Sequence, residues 1–329
     1  MQKVALIGAG GMGGVHARHY AHIPDAEIVA VCDESAEAAG KFADQYSVPT
    51  FEKIGQLLSE VEVDVIDICT PTPTHLEFVK QAAAAGKHVC CEKPLARTVG
   101  DAREAVETCA AAGVQLFVGH VVRWFPAFRK LYNLVAANAV GTPVIVRTRR
   151  AGRFPGSGKP WFANFKQSGG VAFDLIIHDY DWLRWCFGKV TRVYARGLYT
   201  KAPPGMDYAL VTLRFASGVI AHVEGSWAQP GGFSTTVEIA GKRGLLTYSS
   251  DDSVPLVIHK KSADGTTDSL PVSQSPTAVD PYRSELQHFI SCLEEGHKPE
   301  VTPEDGLEAV RIADAALRSI TSQEPVPLT

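Results

Sequence analysis

Lys3-Val4-Ala5-Leu6-Ile7-Gly8-Ala9-Gly10-Gly11-Met12-Gly13 is an apolar run that ends in G-x-G-x-x-G, and a stretch of helical period, Met12 to His22, follows at once. Strand, tight turn and helix in that order form the setting in which glycines let the backbone turn sharply and approach a pyrophosphate. The free amides of the helix N-terminus then hold its charge. Gly8, Gly10, Gly11, Met12 and Gly13 are therefore candidate dinucleotide contacts. Asp33 closes the next apolar run, Glu27 to Cys32, about twenty residues beyond the last glycine, where a carboxylate can accept hydrogen bonds from ribose hydroxyls. Its charge opposes a 2'-phosphate, and Glu34-Ser35-Ala36-Glu37 supplies no arginine to receive one. That favours NAD and leaves NADP as the alternative. A role for Asp33 as cap of the following helix, which Ser35 could also fill, stays open.

Outward from the turn, further apolar runs at Asp64 to Cys69, His88 to Cys91 and Gln115 to Val118 alternate with helical periods at Ala36 to Tyr46, Thr74 to Ala85 and Val99 to Ala112. This alternation predicts an α/β fold, a doubly wound parallel sheet covered by helices. From about Val144 the pattern changes to short strands with alternating polarity: Thr191 to Tyr199, Ala209 to Phe215, Val219 to Trp227, Thr235 to Ala240 and Leu245 to Tyr248. These predict a second, α+β domain with an open, mainly antiparallel sheet. Two late helices, Tyr282 to Glu295 and Pro303 to Thr321, end the pattern, and Ser262 to Pro276 reads as a polar loop. The expected domains are residues 1–121 for the dinucleotide and 122–329 for substrate and self-association.

Bulk properties narrow the function. In 329 residues, 45% hydrophobic and 21% charged, the net charge is -4. There is no basic excess to suit a nucleic-acid partner and no apolar run long enough to span a bilayer. Seven cysteines scattered through apolar runs show neither disulfide-framework nor metal-ligand spacing, so a reduced, cytoplasmic protein without a metal is expected.

Chemistry-bearing residues cluster in three places. Thr70-Pro71-Thr72-Pro73-Thr74-His75 ends the third strand at the edge where such sheets bind ligands, so Thr70, Pro71, Thr72 and His75 are candidate cofactor contacts; a proline-stiffened turn capping a helix fits the same residues. Glu92-Lys93-Pro94 ends the next strand and carries a lysine toward the same edge. Gly169 to Trp185 reads as one glycine-initiated helix with Asp174, His178 and Asp181 on a shared face and Phe173, Ile177, Tyr180 and Phe187 opposite. An acid one turn from an imidazole can fix its tautomer and stabilise its protonated form, which a general base for a hydroxyl proton needs. A surface pair or a satisfied core histidine has the same spacing. His120, Arg123, Trp124, Trp161, Asn164 and Tyr282 could line a substrate pocket, with Arg123 and Trp161 preferred, or serve packing.

Taken together, the glycine turn, Glu92-Lys93-Pro94 and the Asp174/His178/Asp181 segment resemble the glucose-fructose oxidoreductase, inositol dehydrogenase and rhizopine catabolism family (Gfo/Idh/MocA) over nearly the whole chain. The local pattern is similar to inositol dehydrogenases. The resemblance implies an NAD-dependent dehydrogenase acting on a secondary hydroxyl or ketone of a sugar or cyclitol. Lys93 is then the active-site lysine, Glu92 and Lys93 border the cofactor, His178 is the acid/base, and Asp174 supports it and the substrate. It also implies a homo-oligomer, dimer or tetramer, formed through the second-domain sheet, where Val211, Leu213 and Trp227 are expected to be covered. Ile176 departs from the small residue that many members carry, and its bulk is expected to reshape the substrate pocket while leaving the reaction class intact. An NADP-dependent sugar reductase and a non-catalytic nucleotide-binding regulator are the rival readings.

Overall fold

The computed structural model describes residues 1–155, 160–199, 206–229, 231–252, 256–261, 267–271 and 280–328. Its contacts divide into two compact units, residues 1–124 with 279–310 and residues 125–278 with 311–329.

The first unit runs β1 (Gln2–Ile7), α1 (Gly11–Tyr20), β2 (Ala26–Cys32), α2 (Ala36–Tyr46), β3 (Thr50–Phe51), α3 (Ile54–Glu60), β4 (Val65–Ile68), α4 (His75–Ala84), β5 (His88–Glu92), α5 (Val99–Ala112) and β6 (Leu116–Gly119). The strands form a parallel sheet in the order β3-β2-β1-β4-β5-β6. Chain direction across the sheet reverses between β1 and β4, which creates the crevice where such folds hold ligands. Buried Val4, Leu6, Val31, Ile66, Val89 and Phe117 explain why these runs are continuously apolar: helices cover both faces of a parallel sheet. The helix stops are local chemistry. Ser35 accepts from the Ala38 amide at the start of α2, Thr98 accepts from the Asp101 amide at the start of α5, and Gly113 ends α5 at φ 69°.

The second unit contains α6 (Pro126–Ala136), β7 (Pro143–Ala151), α7 (Pro160–Ala163), α8 (Phe165–Ser168), α9 (Val171–Asp174), α10 (Ile177–Phe187), β8 (Val190–Tyr199), β9 (Met206–Phe215), β10 (Ile220–Ser226), β11 (Ser234–Gly241), β12 (Gly244–Ser249), β13 (Leu256–Lys261) and β14 (Thr267–Pro271). The chain ends with α11 (Pro281–Glu295), α12 (Pro303–Ser322) and β15 (Val326–Pro327). The second sheet has the order β14-β13-β12-β11-β7-β10-β9-β8-β15 among the described residues and is antiparallel except at β7–β10. Trp182 of α10 is fully buried, meets Phe128 edge-on at 5.3 Å and donates its indole N–H to the Phe128 carbonyl, which locks α10 to α6.

Four expectations change in the structure. The helix predicted from Gly169 to Trp185 is two helices with a turn at Leu175-Ile176, where the Ile176 amide bonds the Val171 carbonyl five residues back. Ile176 is fully buried because Gly225 on β10 leaves the space for it: a Cβ there would lie 2.7 Å from Ile176 Cγ2 and 3.2 Å from Val171 Cγ2. Its bulk is thus absorbed by the sheet. Val211 and Leu213 are fully buried and Trp227 nearly so, all within this unit; on β9 the outward residues are the alternate ones, Leu210 among them, because strand parity puts odd positions on the core face. Within the predicted loop Ser262 to Pro276, Thr267–Pro271 pairs with β13 as β14, and the rest of that loop lies outside the described residues.

Gly225→Ala is expected to destabilise the chain by about 1–3 kcal/mol through overpacking, read as a lower urea midpoint, and combining it with Ile176→Ala, which removes the obstructing Cγ2, should cost less than the sum of the two single losses.

Candidate active site

The glycine turn is a place where backbone meets backbone. Gly8 adopts φ 102°, and a Cβ on it would stand 2.9 Å from the Cys69 carbonyl oxygen. A Cβ on Gly13 would run into the Gly8 carbonyl oxygen. These contacts draw the start of α1 against the ends of β1 and β4. At the α1 N-terminus Gly10 is the cap residue and offers no side-chain acceptor, so the first amides are left for a ligand. Gly10 itself has nothing within 4 Å of where a Cβ would sit, and Met12 follows in the first turn. The cradle therefore suits a dinucleotide pyrophosphate.

Asp33 sits at the end of β2, half-buried, with Oδ2 accepting the Ala9 amide at 2.7 Å and Oδ1 accepting the Ser35 amide at 2.8 Å. Ser35, not Asp33, caps α2. The carboxylate is thus fixed beside the glycine turn with lone pairs remaining for ribose hydroxyls.

After β4, Thr70 and Pro71 lead into a single turn of 3-10 helix, Thr72–Thr74, in which Thr72 is buried and the Thr74 hydroxyl donates to the Pro71 carbonyl at 2.8 Å and lies 2.8 Å from the Thr70 hydroxyl. His75 is buried, with Nδ1 2.9 Å from the Pro94 carbonyl and Nε2 2.9 Å from the Thr70 carbonyl. Burial lowers its pKa despite the two carbonyls. His75 is a tie between the Thr70 loop and the Lys93-Pro94 loop, and that peptide bond is cis.

Beneath these loops lies a polar cluster that the sequence reading did not single out. His16, fully buried on α1, places Nδ1 2.8 Å from Asp67 Oδ2 and Nε2 3.1 Å from Glu92 Oε1. Asp67 is fully buried and Glu92 nearly so, and Cys69 Sγ lies 3.3 Å from His16 Nδ1. With a carboxyl oxygen facing each ring nitrogen, the arrangement favours an imidazolium that donates to both. Burial alone would lower the His16 pKa, but the Asp67 carboxylate and the Cys69 sulfur outweigh it and hold the pKa well above the usual histidine range. Burial likewise opposes ionisation of Glu92, yet the bond from His16, its charge and nearby Lys93 bring the Glu92 pKa below the usual value. Ligand atoms of His16, Asp67 and Cys90 come within 4.8 Å of one another, a spacing a metal could use; direct hydrogen bonding already accounts for it here. A histidine three positions after the last motif glycine and an aspartate inside an apolar strand, Val65-Ile66-Asp67-Ile68, were the available signals.

Glu92 also accepts the Lys93 amide on Oε2 at 3.0 Å, and Lys93 itself is half-buried. Arg123, in contrast, is 1% exposed and bonds the Glu300 carbonyl at 2.9 Å and Asp305 at 3.3 Å, so it ties the turn after β6 to the start of α12 inside the first unit. His120 is fully buried. Trp124 packs edge-on to Phe117 and against His288. Tyr282 stacks on His19 in the first turn of α11, and burial pushes its phenol up to about 12.

In the second unit Asp174 ends α9, 7% exposed, and His178 stands half-buried in the first turn of α10. Asp181 is buried. Next to His178, Asp179 pairs with Arg150 of β7 at 2.7 Å, both buried, which pins α10 to the sheet. Trp161 of α7 stacks on Phe162 at 3.9 Å, and Asn164 caps α8.

Residues 2–120 match the oxidoreductase family with NAD-binding Rossmann fold, and residues 128–247 match the GFO/IDH/MocA C-terminal domain. The chain is 32% identical to D-apiose dehydrogenase of Paraburkholderia graminis, over 99% of this chain and 89% of that one. It is 30% identical to scyllo-inositol 2-dehydrogenase (NAD(+)) of Bacillus subtilis, over 99% and 96%. The crystal structure of GenD2 from gentamicin A biosynthesis in complex with NAD is similar at TM-score 0.89 and 26% identity, over 100% and 96%.

Gly13→Ala is expected to raise the NADH Kd about tenfold or more in fluorescence titration, because the obstructing atom is backbone and cannot rotate away. The raised His16 pKa has a defined sign in stability. Its contribution is complete below the unfolded histidine value of about 6.5 and is lost as pH rises through the folded value. Urea midpoints measured upward from about pH 6.5 should therefore fall more steeply in the parent chain than in His16→Gln.

Proposed function

The chain belongs to the Gfo/Idh/MocA oxidoreductase family, and from that premise we propose that it interconverts a secondary hydroxyl and a ketone on a cyclitol or sugar, with inositol-like substrates first and NAD as the hydride partner. The reading is carried by Lys93: it leaves the C-terminal edge of β5 in the same unit as the pyrophosphate cradle, its loop held by Glu92 on one side and His75 on the other. The curated relatives named above act on apiose and scyllo-inositol, which supports the substrate class.

NAD, when bound, supplies the hydride acceptor at its nicotinamide. The turn at Gly8, Gly10, Gly11, Met12 and Gly13 would hold the pyrophosphate, Asp33 the ribose, and Thr70, Pro71, Thr72 and His75 the flank of the crevice. His178 takes the proton of the substrate hydroxyl, Asp174 steadies the resulting imidazolium and a neighbouring hydroxyl, and the Lys93 ammonium stabilises developing alkoxide charge. Trp161 offers an aromatic face to the sugar. For Arg123 the buried bonds to Glu300 and Asp305 support a structural part in place of a substrate contact.

The NADP alternative is opposed by the fixed carboxylate of Asp33, since a 2'-phosphate beside it would meet like charge. A purely regulatory nucleotide binder has no chemical need for Lys93 together with His178. We place the protein in the cytoplasm, where unpaired cysteines such as Cys32, Cys90 and Cys109 stay reduced. We also propose self-association through the outward face of the second sheet, which carries exposed Leu198, Leu210 and Ile220.

NADH formation against a panel of inositols, aldoses and anhydrosugars tests the reading. Lys93→Ala and His178→Ala should each lower kcat about 100-fold or more on the best substrate; near-normal turnover in either would refute the assigned role. Replacing Leu198 and Leu210 by Glu together should lower the mass found by sedimentation, and an unchanged mass would refute the proposed interface.

A further inference from the structure

A buried carboxylate–imidazolium–carboxylate group is an expensive way to fill a core, because each desolvated ion costs several kcal/mol and apolar residues of the same volume do as well or better. The position of this group suggests what it does. Glu92 is the last residue of β5, and its side chain folds back on the chain: Oε1 meets His16 Nε2 at 3.1 Å while Oε2 accepts the amide of the next residue, Lys93, at 3.0 Å. Gly119 on β6 makes the room, since a Cβ there would stand 3.3 Å from Glu92 Cδ. His16 is held in turn by Asp67 of β4 at 2.8 Å. An unbroken set of hydrogen bonds thus runs from Asp67, through a residue on the helix that begins at the glycine turn, to the peptide carrying Lys93.

We propose that His16 is a positioning residue for Lys93, acting through Glu92 to fix the lysine's peptide relative to the dinucleotide turn. The catalytic consequence rests on the assignment of Lys93 to the chemistry; the positioning itself does not. His16 touches neither reactant, so its loss should leave cofactor binding largely intact and disturb the lysine.

The variants are His16→Asn, which removes the charge and one bond, and Glu92→Gln, which keeps the shape of the side chain. The carboxamide has one accepting oxygen and an NH2 that cannot accept, so it cannot serve both the His16 and the Lys93 N–H groups. Two readouts are used. In the first, the pH-dependent rate of Lys93 acetylation by acetic anhydride is followed by peptide mass spectrometry, with exposed Lys53 and Lys189 as internal references. Each variant should change the Lys93 rate about threefold or more relative to both references, and in His16→Asn the NADH Kd should stay within about threefold of the parent.

In the second readout, kcat on the best substrate of the panel should fall about tenfold or more with KM changed less than about threefold. The double variant should cost little beyond the worse single one, because both break one chain of bonds. An unchanged Lys93 acetylation rate, or fully additive losses, would overturn the proposal. If His16→Asn does not fold, Glu92→Gln alone decides it by the Lys93 acetylation rate and the kcat and KM changes. Lys93→Ala with full turnover would defeat the functional assignment instead, and the acetylation arm, which needs no turnover, would still rule on His16.

Discussion

Everything in the first unit is arranged around the near-collision between the Gly13 α-carbon and the Gly8 carbonyl. That contact has no room for a methyl group, and it brings the head of α1 down onto the ends of β1 and β4 at the point where strand order reverses. Once α1 is seated, its second turn follows: His16 drops into the core between Asp67 and Glu92, and Cys69 lies alongside. The same packing that leaves backbone amides open at one end of the helix therefore buries charge beneath it. Anion recognition and the placement of Lys93 share a single structural origin.

Much of this was legible because it is local. The glycine spacing, the carboxylate at the end of β2 and the helices Ala36–Tyr46 and Val99–Ala112 each depend on residues close together in sequence, where periodicity and capping chemistry speak directly. The strand β7 was not legible: Val144-Ile145-Val146-Arg147-Thr148-Arg149-Arg150 alternates, but its cations turn outward to Glu238 and Glu224 or inward to Asp179, partners supplied by distant segments. The break at Ile176 was hidden for a similar reason. A helical period continues through it, and the room for the Ile176 side chain at the bend comes from Gly225, some fifty residues further on. Parity on β9 could not be settled either, since both faces of that strand carry apolar residues and only the covering helices choose between them.

The two groups of chemical residues rest on different supports. Lys93 is held by hydrogen bonds to backbone and buried charge, a rigid arrangement with little slack. Asp174 and His178 sit at the junction of two short helices, supported by apolar contact at Ile176 and by the buried Arg150–Asp179 pair one residue from the imidazole. Substitutions near the first should disturb geometry through electrostatics. Those near the second act through volume at Ile176 and through buried charge at Asp179.

The order in which the chain is made bears on how it can fold. Helix α11 belongs to the first unit, where Phe289 stacks on Phe117 at 5.0 Å and Arg283 donates to the His22 carbonyl, yet it is translated only after strands β7 to β14 of the second sheet. In that sheet β7 waits for β10 and β11 before either edge is satisfied. A nascent chain therefore presents an uncovered face of its first sheet until residues 281–295 have emerged, and an unpaired β7 until residues 220–241 have followed it.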